Sequence, residues 1–163
     1  MIFLRLLGGA LIAAAALCVG RGYRAYALQR MDEQEGFISL LLHIKGQVAC
    51  YLSPQGKLLD GFSSEALSRL GFTDAMEECR DLSAAYKQVE PKMCASQKIK
   101  SVLERYFLGF GKEYKEGELA RADAAIAEIS ALFAADKAET EKNVKVAEAL
   151  SVAAALGLII LLL

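Results

Sequence analysis

Residues 149–163, ALSVAAALGLIILLL, carry no charged side chain, and neither does the run from Leu6 to Gly20. An apolar helix must be covered by protein or leave water for lipid, so two such runs around one polar middle constrain the fold strongly. Charged residues make up 24% of the chain. Yet Arg5 and Arg21 are the only Lys or Arg outside residues 22–145, and Glu148 is the only acid outside them. The middle therefore has the composition of an ordinary water-facing domain of roughly 120 residues, enough for one modest core.

A helix over Leu6–Gly20 covers about 22 Å, against a hydrocarbon core of about 30 Å. Met1–Leu4 lengthen the run, with Arg5 snorkelling outward. The C-terminal run has a similar length, with Lys145 and Glu148 at its inner boundary. The expectation is a transmembrane helix over residues 1–20 and another over 146–163, flanking a domain at 21–145. A cleaved signal peptide would share Arg5, the apolar core and Ala14-Ala15-Ala16, but Arg21, Arg24 and Arg30 directly after it oppose export. Those arginines, with Lys137, Lys142 and Lys145 before the second run, place the middle domain in the cytoplasm and both termini across the membrane.

Helical spacing dominates the middle. Phe37, Leu40, Leu41, Ile44 and Val48 share one face of a helix that ends near Leu52, where Ser53-Pro54-Gln55-Gly56 supplies breakers. A short helix through Ala66, Leu67 and Leu70 stops at Gly71. Thr73 is placed to cap the next helix, whose apolar face is Ala75, Cys79, Leu82, Tyr86 and Val89. Pro91 opens another, with Ile99, Val102, Leu103, Tyr106 and Phe110 inward. Gly109, Gly111 and Gly117 mark a loosened turn. Leu119, Ala122, Ile126, Ile129 and Phe133 then alternate steps of three and four, the pattern of a long helix packing at a shallow angle. The polar stretch DKAETEKNVK continues that helix into the second uncharged run. With no sustained period-two alternation, the fold class is all-α, a bundle of about five or six helices.

Chemistry is sparse in this pattern. Cys18, Cys50, Cys79 and Cys94 form no CxxC and His43 is the single histidine, so zinc-ligand spacing is missing; the cysteines read as small buried hydrophobes. GFGKEYKEGE lacks the spacing and the terminal Lys-Ser/Thr of a phosphate-binding loop. Glu77, Glu78 and Asp81 read as compensation of a helix dipole, and His43 as a packed or partly exposed side chain. No catalytic, cofactor or metal site is assigned. The near-neutral balance of 19 basic and 20 acidic residues gives no footprint for nucleic acid. Lys112, Glu113, Lys115, Glu116 and Glu118 form a charged cluster suited to docking a partner, and the loop around Pro54 is a second candidate contact.

In architecture and in several residues taken together, the chain resembles the stage III sporulation protein AB family. The features are the LLGGALI run followed by arginines, the LLLHIKGQVACYLSP segment from Leu40 to Pro54, the Phe110-Gly111 pair, and Glu141-Lys142 with Lys145 before the terminal apolar run. The resemblance implies a mother-cell membrane protein of the apparatus linking mother cell and forespore. Its soluble domain would be similar to the cytoplasmic domains of type II secretion F and type IV pilus C platform proteins. The implied partner is the secretion-type ATPase of the same system, stage III sporulation protein AA, together with other membrane components of the channel, lipid, and further copies of the chain as a homo-oligomer. The expected function is thus a noncatalytic platform with Pro54 and the Phe110–Glu118 segment as contact candidates. The alternative is a membrane-anchored helical adaptor that senses or sequesters a signalling partner.

Overall fold

The computed structural model describes residues 2–50 and 58–162, and several side chains within 2–19 and 148–162 lie outside that description. Its α-helices are α1 (Ile2–Cys50), α2 (Glu65–Leu70), α3 (Phe72–Cys79), α4 (Leu82–Val89), α5 (Gln97–Gly109) and α6 (Lys115–Leu162), with a 3-10 turn at Glu90–Lys92. The all-α expectation holds, and no strand occurs among the described residues. Two compact units divide the chain: Gln29–Ala135 forms one, and Met1–Leu28 with Asp136–Leu163 forms the other.

The Gln29–Ala135 unit is organised around aromatic rings drawn from four different helices. Phe37 of α1 meets Phe72 of α3 edge-on at 5.6 Å and Tyr86 of α4 at 6.5 Å. Phe107 of α5 lies 5.2 Å from Tyr86. Leu40, Leu41, Ile44, Leu67, Ile99, Leu103 and Ile129 are completely buried around them. Removing one large side chain of this kind from water stabilises the fold by about 1.5–3 kcal/mol, so this cluster holds the short helices in place. Helices of six or eight residues are not stable alone in water, and α2, α3 and α4 depend on that packing.

Caps set where the short helices start and stop. The Ser64 hydroxyl accepts from Leu67 N–H at 3.4 Å and opens α2. Gly71, at φ 84°, closes α2 and opens α3 without a cap side chain. A side chain at that left-handed backbone angle would be strained, and so glycine stands there. Thr73 therefore is not a cap; its hydroxyl reaches Ser68 Oγ at 3.4 Å.

The single helix expected from Thr73 to Val89 is two helices. Arg80 takes φ 52°, and the Asp81 carboxylate accepts from Ala84 N–H at 2.8 Å to start α4. The break moves Cys79 from the expected inner face to the surface. Glu77 and Glu78 then fall in the last turn of α3, where they cannot offset a helix N-terminus. Pro91 lies in the 3-10 turn rather than at the head of α5, which opens at Gln97 after Ser96.

Of the two longest helices, α1 departs from expectation by its continuity, whereas α6 runs on through DKAETEKNVK as expected. The N-terminal run and the Phe37–Val48 helix are one continuous helix of 49 residues, and α6 joins the second half of the bundle to the C-terminal run over 48 residues. The separate transmembrane helices expected over 1–20 and 146–163 are not supported. Among the described residues no helix is long and apolar enough to cross a membrane. Within the Gln29–Ala135 unit α1 and α6 run antiparallel, with Lys45 Nζ 2.5 Å from Asp123 Oδ1 and Lys115 Nζ donating to the Ala49 carbonyl. In the other unit Gly20 lies against Ser151.

Candidate functional site

The charged segment after α5 is a built turn rather than a loose solvated cluster. α5 ends at Gly109, Phe110 is extended, and Gly111 takes φ 77° to reverse the chain. Lys112 N–H donates to the Gly109 carbonyl at 3.4 Å. Glu118, three residues into α6, is 5% exposed, and its Oε1 accepts from Glu113 N–H at 3.1 Å. Arg121 completes the arrangement: its guanidinium donates to the Gly109 carbonyl and to the Glu113 carboxylate, and lies 3.9 Å from Glu118 Oε1. The turn is therefore tied at both ends by one arginine and one buried carboxylate. Glu118 Oε2 is buried without a hydrogen-bond partner. A desolvated carboxylate oxygen of this kind is costly unless the neighbouring cation offsets it.

The candidates from the sequence take different roles in this turn. Lys112, Glu113, Lys115 and Glu116 are exposed, whereas Glu118 faces inward as a structural anchor. Phe110 is half-buried and packs 5.9 Å from the ring of Tyr106. Gly111 supplies only the reversal. Pro54 lies outside the described residues. Arg121 and Tyr114 escaped sequence reasoning. Arg121 had a signal, the Glu118/Arg121 spacing of three on one helix face. Tyr114, 94% exposed, had none, because exposure of a single aromatic is decided by the turn.

A second polar junction sits deep in the same unit. Glu33, 2% exposed, accepts from Cys94 N–H at 2.7 Å and from Gln29 Nε2 at 3.1 Å. It thereby holds the corner between the 3-10 turn and α5 against α1. Burial, and then the Glu33 carboxylate, push the Cys94 thiol upward from its ordinary range, which disfavours the reactive thiolate. Burial likewise raises Tyr86, whose hydroxyl donates to the Lys100 carbonyl at 2.8 Å. Tyr106 is raised by burial and next by Glu118, with Arg121 acting in the opposite direction. The cysteines are all free; Cys18, Cys50 and Cys79 are exposed and Cys94 is half-buried, so the expectation of buried small hydrophobes is corrected. His43 packs its ring 5.3 Å from Phe62.

Two recesses adjoin each other at the α1–α2 face, the larger of about 330 Å³ and lined mostly by polar residues, Asp32, Glu35, Ser39, Ser64, Glu65 and Arg69 among them, with no apolar floor. The smaller, of about 120 Å³, lies between α1 and α2, lined by Gln29, Asp32, Glu33, Ala66, Arg69 and Leu70. Arg69 bridges it to Asp32 at 3.4 Å. Small-molecule sites usually enclose about 300–1,000 Å³ and converge polar groups on an apolar floor. Among the described residues no group of three or more His, Cys, Asp or Glu is placed to hold a metal ion.

A family model described as stage III sporulation protein AB matches residues 5–163. The chain belongs to the stage III sporulation protein AB family. The match spans nearly the whole chain, so both units and the turn after α5 fall within the family's extent. No curated protein and no solved structure matches the chain.

Proposed function

We propose that this family member is a noncatalytic membrane platform of a secretion-like sporulation channel between mother cell and forespore, anchoring a cytoplasmic secretion-type ATPase. The observation that carries the reading is continuity. The Gln29–Ala135 unit is prolonged at both ends, without a linker, by helices whose outer runs hold no charge in sequence. Two helical legs of that composition tether a rigid bundle at a bilayer and raise its local concentration for assembly and for docking a cytoplasmic motor. Short spans are accommodated by local thinning of the bilayer and by snorkelling of Arg5 and Lys145. The positive charges after the first run and before the second favour a cytoplasmic bundle.

The docking surface in this reading is the exposed face of the turn after α5, with Lys112, Glu113, Lys115 and Glu116. Glu118 and Arg121 hold it in shape, so little conformational freedom is lost when a partner binds. The test is co-purification of the detergent-solubilised full chain with the stage III sporulation protein AA-like ATPase of the same organism, with and without nucleotide. Retention of the ATPase, weakened about tenfold by Lys112→Glu with Lys115→Glu, is the expected result; two exposed charge contacts of this kind are together worth about 1.4 kcal/mol. A folded chain that retains no ATPase in either nucleotide state removes the platform reading. An effect of deletion on gene expression with an intact channel would instead identify a regulatory adaptor.

A further inference from the structure

Arg21, Gly22, Tyr23, Arg24, Ala25 and Tyr26 are all exposed, although they lie well inside α1. Tyr23 is 42% and Tyr26 52% exposed. Successive residues of a helix turn by about 100°, which sets Arg21 with Arg24 on one side and Tyr23 with Tyr26 on the other. A single packed neighbour would cover one side only. The composition is one-sided as well: no acid occurs before Asp32, so this part of α1 is purely basic.

Its position gives the belt its meaning. Gly20, the last residue of the first uncharged run, lies against Ser151, which is near the start of the second. The change from charged to uncharged sequence therefore falls at one level on both helices, and Arg21–Tyr26 begins there. Lys142 and Lys145 of α6 are also exposed shortly before that level, accompanied in sequence by Glu141 and Glu148. Tyrosine at such a boundary places its ring among acyl chains and its hydroxyl among headgroups, while arginine pairs with phosphate oxygens.

We propose that Arg21–Tyr26 is an interfacial belt that binds the phosphate groups of anionic lipids and fixes the depth of α1 in the bilayer. The proposal rests on the membrane anchorage put forward above. It commits to lipid as the occupant because the segment is basic, carries two exposed tyrosines on one side and is continuous with an uncharged run.

The chain contains no tryptophan, so Tyr23→Trp introduces a single reporter. The full-length variant is reconstituted into vesicles of phosphatidylglycerol and phosphatidylcholine carrying quenchers either near the headgroup or at mid-chain. The expected result is blue-shifted emission quenched most strongly by the shallow label. Phosphatidylglycerol enrichment among lipids retained by the extracted chain is expected to fall about fivefold for each of Arg21→Gln and Arg24→Gln. A chain that floats with vesicles but whose tryptophan meets neither quencher overturns the belt and leaves anchorage standing. A tryptophan shielded from both lipid labels in proportion to protein concentration identifies a second copy of the chain as the occupant and also overturns it. A chain that fails to float overturns both readings. Inorganic phosphate added to lipid-free, detergent-solubilised chain is expected to leave the emission unchanged; a shift there would show an anion site and sink the lipid assignment. Tyr26→Trp repeats the measurement if Tyr23→Trp does not fold, as judged by helical circular dichroism.

Discussion

The two units of this chain use helices in opposite ways. In Gln29–Ala135, short helices with poor intrinsic stability are locked by a dense core in which Phe37, Leu40, Leu41, Ile44, Leu67, Ile99 and Leu103 lose all contact with water. In Met1–Leu28 with Asp136–Leu163, the helices are long, and among the described residues only Ala27 is buried. Tyr26, Leu28, Val146, Leu150 and Val152 of that second unit stand about half exposed or more. The lesson is that burial by protein accounts for the core of the first unit, where Leu42, Leu108 and Tyr114 nonetheless stay exposed. The second unit has more exposed apolar side chains than buried ones among its described residues. Such surface marks a site of contact with another molecule or with lipid.

That contrast can be attacked where its effect should be largest. Phe37→Ala removes the ring that touches Phe72, Tyr86 and Phe107, and is expected to destabilise the bundle by about 3–5 kcal/mol. Chemical denaturation of the full chain in detergent, followed by tyrosine near-ultraviolet signal, measures it. Leu150→Ala, at a 64% exposed position of the other unit, should shift the same transition by less than about 0.5 kcal/mol. Equal losses at the two positions would erase the distinction between the units.

The turn after α5 should respond at an intermediate level. Glu118→Ala leaves the Glu113 N–H and Arg121 without the buried carboxylate, and a cost of about 1–3 kcal/mol is expected. Amide hydrogen exchange at Glu113 should rise along with it. Gly71→Ala forces a side chain into the left-handed region between α2 and α3 and should cost about 1 kcal/mol, read as a shift in denaturation midpoint. Arg105→Ala breaks an exposed pair with Glu128 and should stay within about 0.5 kcal/mol.

Alkaline titration sharpens the comparison further. The folded state holds Tyr86 and Tyr106 neutral above the pH at which the unfolded chain would ionise them. Their contribution is therefore fully present below about pH 10 and lost as pH rises beyond it, since the unfolded state then releases protons that the folded state keeps. Tyrosinate absorbance from Tyr86 and Tyr106 is expected to appear only as helical signal is lost. A single smooth titration with the fold intact would contradict their burial.

Much of the bundle could be read before the structure was seen, and the exceptions are instructive. Leu67 and Leu70 before Gly71, and the three-four alternation through Ala122 and Ile129, fall where expected because helical periodicity and glycine caps are local signals. Met76 and Phe107 are buried without having been anticipated, since each lies beside an apolar residue that already satisfied the pattern, and Phe72 was passed over because it stands between the expected stop at Gly71 and the expected cap at Thr73. The break at Arg80–Asp81 was hidden by acids that suited one helix start equally well. Within the candidate site, the charge cluster was visible, but its partition was not: Glu118 turns inward only because Arg121 and the Glu113 amide converge on it.

The sequence by itself determined that this chain is all-helical, that its charge is confined to the middle, and that it belongs with the stage III sporulation protein AB family. Those properties follow from periodicity, composition and motif order, all written along the chain. Only the tertiary structure decided that the first uncharged run is continuous with the Phe37–Val48 helix, that α3 and α4 are separate, and which charges of the Lys112–Glu118 turn meet solvent. Each of these depends on contacts between residues distant in sequence, where packing and desolvation outweigh the preference of any local segment.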